Sequence, residues 1–121
     1  MKSFTKLVGI TISMALIGLS AFGCGKNDPP KLKVVNENDR PITFISIGTY
    51  GTEYKDLNIT KGKSEVFIIN DVTYNQNCNI EIGTGSTTTG DYWPSQVECL
   101  LCMGETTTIT YTADNTFQVK P

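Results

Sequence analysis

The chain has 121 residues, with ten basic and twelve acidic side chains and no histidine. That length suits one small domain. The lack of histidine removes the usual general base, the commonest zinc ligand and the usual pH switch. A slightly acidic chain with no run of basic residues argues against nucleic acid and anionic headgroups as partners.

Residues 1–23 read as a secretory signal peptide. Lys2 and Lys6 make a short positive n-region, and Leu7 to Gly23 carries no charge. The small residues Ser20, Ala21 and Gly23 gather at its end. The apolar run is shorter than the roughly 20 residues a bilayer span needs, and Gly9, Thr11, Ser13 and Gly18 dilute it. Without this segment, eight basic residues face twelve acidic ones, for a net charge of about −4.

Ala21-Phe22-Gly23-Cys24 resembles the lipobox of bacterial lipoproteins, in which a small residue precedes a cysteine that becomes the acylated N-terminus. The resemblance covers only this leader. It implies cleavage before Cys24, a diacylglyceryl thioether with a fatty acid such as palmitate on the amine, and attachment to a membrane of the cell envelope. Two or more chains make such attachment stable. The same Ala21 and Gly23 also satisfy ordinary signal peptidase. Residues 24–31 then form the lipidated N-terminus and a polar tether, GKNDPPK, stiffened by Pro29 and Pro30.

From residue 32 to 121 the composition is β-favouring, with no helical period. The expected strands are 32–36, 42–50, 64–70, 77–83, 96–102, 106–113 and 116–120, with a short one near the end of YGTEYKDLNI. Within 77–83, Cys78, Ile80 and Ile82 share one face. The segment 83–95, GTGSTTTGDYWPS, reads as a long loop. Met103-Gly104-Glu105 reads as the turn of a hairpin between 96–102 and 106–113, because Gly104 accepts the left-handed conformation. About seven short strands predict an all-β antiparallel sandwich of Ig-like architecture, with an open β-barrel as the alternative.

With Cys24 given to lipid, Cys78, Cys99 and Cys102 remain. An exported domain favours one disulfide. Cys99 shares its strand face with Val97 and Leu101, so Cys78–Cys99 is preferred to Cys78–Cys102. Cys99-Leu100-Leu101-Cys102 also reads as a redox C-x-x-C motif, but its flanks are strand-like rather than a helix N-terminus. Three thiols without histidine leave a tetrahedral metal site one ligand short. No cofactor and no catalytic group is expected.

The candidate binding residues are Tyr92 and Trp93 in the 83–95 segment, with Tyr50 and Tyr54 extending the patch if the two segments adjoin. Such rings stack on sugars or anchor a protein partner. The plainer reading has Trp93 folded back as a cap on the core. The expected role is binding or structural, with a protein or carbohydrate ligand. The alternatives are a thiol–disulfide redox protein using Cys99 and Cys102, and a small envelope inhibitor of a hydrolase.

Overall fold

The computed structural model describes residues 27–48 and 50–121. The signal segment and Cys24 lie outside the described residues. Eight strands make up the domain: β1 (Lys31–Asn36), β2 (Ile42–Ile47), β3 (Thr52–Tyr54), β4 (Ser64–Ile68), β5 (Gln76–Ser86), β6 (Asp91–Leu101), β7 (Thr106–Tyr111) and β8 (Phe117–Lys120). They form two four-stranded sheets, ordered β4-β1-β7-β8 and β3-β2-β5-β6. This is a β-sandwich, not a closed barrel.

Period-two alternation drives the assembly. In β1, Leu32, Val34 and Asn36 are buried while Lys31, Lys33 and Val35 face outward. In β5, Cys78, Ile80 and Ile82 are buried, as their alternation predicts. The core lies between the sheets, where Leu32, Val34, Phe67 and Ile109 of one meet Ile45, Ile47, Ile80, Ile82 and Leu101 of the other. Burying each of these apolar side chains contributes about 1.5–3 kcal/mol.

Two sequence expectations are corrected. Residues 83–95 are not one long loop: outside the turn at 87–90 they belong to β5 and β6, which pair without interruption from Gln76↔Leu101 to Ser86↔Asp91. Gly85 and Gly90 take φ of 82° and 76° and bend the strand and its tip without a side-chain clash. Pro94 is tolerated because β6 is an edge strand, where a missing N–H costs no ladder bond.

The second correction concerns Met103-Gly104-Glu105. It does turn, with Gly104 at φ 76° and the Glu105 N–H donating to the Cys102 carbonyl at 3.0 Å. Yet β6 and β7 are in different sheets, and β7 pairs in parallel with β1. The turn is docked onto the start of the domain, since the Gly104 N–H donates to the Asp28 carbonyl at 2.7 Å. It therefore carries the chain across the sandwich and lays β7 along β1, where Thr107, Ile109 and Tyr111 extend the buried stripe of Leu32, Val34 and Asn36.

The tether is also shorter than GKNDPPK suggests. Pro30 is buried, and its carbonyl accepts from the Ile69 N–H at 2.9 Å. Among the described residues, backbone hydrogen bonding to the rest of the domain starts at Asp28. This base of the sandwich, where β1 starts, lies opposite the end that holds the β1–β2 turn and the β5–β6 tip.

Candidate ligand-binding cleft

At that far end, β2 is irregular. Its register against β5 shifts between Ile42 and Phe44, so Thr43 is bulged out of the ladder. The Thr43 hydroxyl donates to the Gly85 carbonyl at 2.9 Å, and the Thr43 carbonyl accepts from the Leu57 N–H at 3.0 Å. The bulge therefore holds the segment after β3 beside the β5–β6 tip. Asp56, at φ 57°, makes the bend that brings Leu57 back. Aspartate is among the few non-glycine residues that accept this conformation readily.

Between these segments lies an open cleft of about 610 Å³, lined by Thr43, Phe44, Lys55–Leu57, Gly85–Thr88 and Tyr92. Phe44 alternates with buried Ile45, so its ring sits on the outer face of the sheet, partly exposed. Tyr92 lies on the same outer face, across Gly83, where any Cβ would collide with its ring. Gly83 is also the β5 partner of Phe44. A strand position without a side chain thus seats one aromatic next to another. Burial pushes the Tyr92 hydroxyl pKa up, helped by the Glu81 carboxylate, so the phenol stays protonated and available as a donor. The Lys55 ammonium, Asp56 carboxylate and Ser86–Thr88 hydroxyls give the cleft both charges and several hydroxyl partners.

The 50–57 and 84–95 segments do meet, through residues 55–57 and 85–92. The predicted aromatic patch does not form. Trp93 follows Tyr92 on a strand and so points to the opposite side of the sheet. It is 52% exposed and does not cap the core. Arg40 lies over one face of its ring, 3.8 Å from the centroid. The same guanidinium bonds both Asp91 carboxylate oxygens at 3.0 and 2.9 Å and the Asp91 carbonyl at 2.9 Å. It also reaches the Thr84 hydroxyl and carbonyl at 3.3 Å. Arg40 therefore fastens the β1–β2 turn to the hairpin end.

Tyr50 lies at the base, where its hydroxyl accepts from the Gln76 amide. Tyr54 stands opposite Ile45 and packs on Phe67 of the other sheet with ring centroids 4.6 Å apart. Burial, with a smaller contribution from Asp71, raises its pKa. Tyr54 closes the gap between the edge strands and is part of the packing, not of the cleft.

The asparagines of the β1–β2 turn are consumed internally. The fully buried Asn36 amide donates to the Arg40 and Ile59 carbonyls, both at 2.8 Å, and its oxygen accepts from the Asn38 N–H at 2.7 Å. Asn38 in turn donates to the Thr112 carbonyl and the Asn115 side chain, both at 2.8 Å. Among the described residues no cluster of three or more acidic or cysteine side chains is arranged to hold a metal ion.

Cys78 and Cys99 are direct cross-strand partners, both buried. In this structure they are free thiols, and the expected bond between them is not formed. The Cys78 sulfur turns along its own strand toward the Gln76 carbonyl, 4.0 Å away. Burial pushes the Cys99 pKa up to about 11, with smaller contributions from Cys78 and Glu98, and burial raises Cys78 as well. A reactive redox thiol requires the opposite shift. Cys102 is buried just past β6.

Phe44 and Thr43 of the candidate cleft, and Arg40 beside it, are residues that sequence reasoning missed. A signal for Phe44 existed, because an aromatic in the outward phase of ITFISI breaks the apolar-in, polar-out alternation. Compared with known family models, curated proteins and solved structures, the chain matches none.

Proposed function

We propose that this protein is an exported bacterial lipoprotein, held to an envelope membrane through Cys24, whose β-sandwich binds a sugar-containing ligand in the Phe44–Tyr92 cleft. The leader with its terminal cysteine supports the export and the anchor. The observation that carries the binding role is the pair of partly exposed rings seated around Gly83, with hydroxyls, a carboxylate and an ammonium beside them. Aromatic faces stack on the apolar faces of sugar rings while such polar groups take their hydroxyls. The cleft also lies at the end away from the N-terminus, so an anchored domain presents it outward.

Titration with soluble fragments of envelope glycans, followed by NMR, tests this reading. Shifts confined to Phe44, Tyr92 and residues 55–57 and 85–88 are expected; shifts elsewhere, or none with any glycan, overturn it. The anchor is tested separately by the mass of the mature N-terminus, which carries added diacylglyceryl and acyl mass on Cys24 if the reading holds.

The cysteines belong to the same reading. In an oxidising envelope, exchange with a disulfide-carrying oxidant takes two electrons and two protons from Cys78 and Cys99 and joins their sulfurs. Strand partners are close enough for this bond. Non-reducing peptide mapping of protein taken from the envelope should recover the Cys78 and Cys99 peptides linked, and two free thiols there would refute the bridge.

A further inference from the structure

The outer face of the β4-β1-β7-β8 sheet gathers charge that is scattered in the sequence. Lys33 stands opposite Val66 on one side and Thr108 on the other, and Thr108 stands opposite Lys120. One row across all four strands thus reads Val66–Lys33–Thr108–Lys120. The adjacent row, toward the base, reads Ile68–Lys31–Thr106. No aspartate or glutamate occupies an outward position in the paired register of this face. None of the three lysines forms an ion pair among the described residues. Beside them, Val66 and Ile68 are 51% and 52% exposed. An acidic chain with no basic run therefore has a basic face with an apolar margin, which reverses the composition-based exclusion of anionic headgroups.

We infer that this face lies against the membrane surface and binds anionic lipid headgroups. The inference rests on the lipid-anchor reading of Cys24. Its second support is the short length of chain between Cys24 and the domain. The Asp28 carbonyl is already bonded to the Gly104 N–H, so four residues link Cys24 to a fixed point on the domain. Fully extended, they span at most about 14 Å. A chain that short keeps the base of the sandwich at the headgroups. Lys31, Ile68 and Lys120 all lie toward that base, because β1 starts there, β4 ends there and β8 runs antiparallel to β7. Each lysine near an anionic surface strengthens binding about fivefold, and salt weakens the effect. The domain is thus a body lying on its lysine face, with the cleft at the far end turned from the bilayer.

Amine footprinting of the full mature protein tests this. The protein is reconstituted into vesicles of phosphatidylethanolamine with phosphatidylglycerol, or into neutral phosphatidylcholine vesicles, and labelled with a membrane-impermeant acylating reagent. On anionic vesicles, Lys31, Lys33 and Lys120 should be labelled at least fivefold more slowly than on neutral ones, while Lys55 and Lys61 stay unchanged. High salt should abolish the protection. The triple variant Lys31→Gln, Lys33→Gln, Lys120→Gln should lose the salt-dependent slowing of exchange between vesicles, by up to about a hundredfold for the three charges. Equal labelling on both vesicle types overturns the inference. So does protection that appears without vesicles and grows with protein concentration, which marks a second copy as the occupant. Protection that requires added envelope protein overturns it too. The N-terminal mass reports the anchor independently: an acylated Cys24 with unprotected lysines removes only the face, and salt-dependent protection of an unacylated chain removes only the anchor.

Discussion

The ring of Tyr92 lies across the backbone of Gly83, the residue of the neighbouring strand where no Cβ can be accommodated beneath it. Gly83→Ala should therefore expel the ring from its seat while leaving the strand intact. The displaced atoms are the far end of a flexible side chain, so the net loss of stability should be about 1 kcal/mol or less. Glycan binding should fall as far as in Tyr92→Ala. Paired melting curves and binding titrations of the two variants check this, and retained binding in Gly83→Ala would detach Tyr92 from the cleft's function.

Arg40 joins two turns through one guanidinium, and its side chain is far less exposed than the Asp91 carboxylate it pairs with, 17% against 60%. Most of its value therefore lies in the carbonyl bonds and the Trp93 stack, not in the ion pair. Arg40→Ala should cost about 2 kcal/mol. Asp91→Asn and Trp93→Ala should each cost about 1 kcal/mol or less. For a domain of this size, about 1 kcal/mol corresponds to a Tm change of about 4–8 °C. Thermal denaturation of the three variants orders them, and a Trp93→Ala loss equal to that of Arg40→Ala would restore a core-capping role for the indole.

Asn36→Ala should be among the most destabilising single changes in the domain. It leaves the Arg40 carbonyl and the Asn38 N–H without their Asn36 partner, while the Ile59 carbonyl keeps only the Ile42 N–H. Each unpaired buried group costs about 1–3 kcal/mol, and relaxation of the turn recovers part of it. A loss of about 3 kcal/mol, read from urea denaturation, is expected. Asn36→Asp should be only partly better, because it keeps the acceptor and loses the donor.

The raised Cys99 pKa makes the reduced protein sensitive to alkali. The folded thiol holds its proton up to about 11, while the unfolded thiol releases it near the ordinary thiol value of 9.0. Between these values the unfolded state binds fewer protons than the folded one, so stability falls as pH rises. Below pH 9 the contribution is complete; above about 11 it is gone. Denaturation midpoints of reduced wild type should drop across this window more than those of Cys99→Ala. Parallel curves for the two would place the thiol in water.

Much of the sandwich was legible because strand periodicity is a local property. The alternation in LKVVN, NCNIEI and QVECLL already separates core from surface, whereas the bulge at Thr43 interrupts it in ITFISI. What lay beyond the sequence was pairing. Gly104 makes a turn whether the next strand pairs backward or crosses to the other sheet, and the Gly104–Asp28 bond that accompanies the crossing is non-local. GTGSTTTGDYWPS looks like a loop until Arg40, from another turn, fastens its ends and Tyr92 covers Gly83. The lysines at 31, 33 and 120 form no run, and only the register of β1, β7 and β8 sets them on one face. Side-chain chemistry at short spacing marks which residues of β1, β5 and β6 face inward, and that much is local to each strand. The tertiary structure alone decided which strands are neighbours, and with that the cleft and the basic face, because hydrogen-bond partners between strands are chosen by the packing of the whole core.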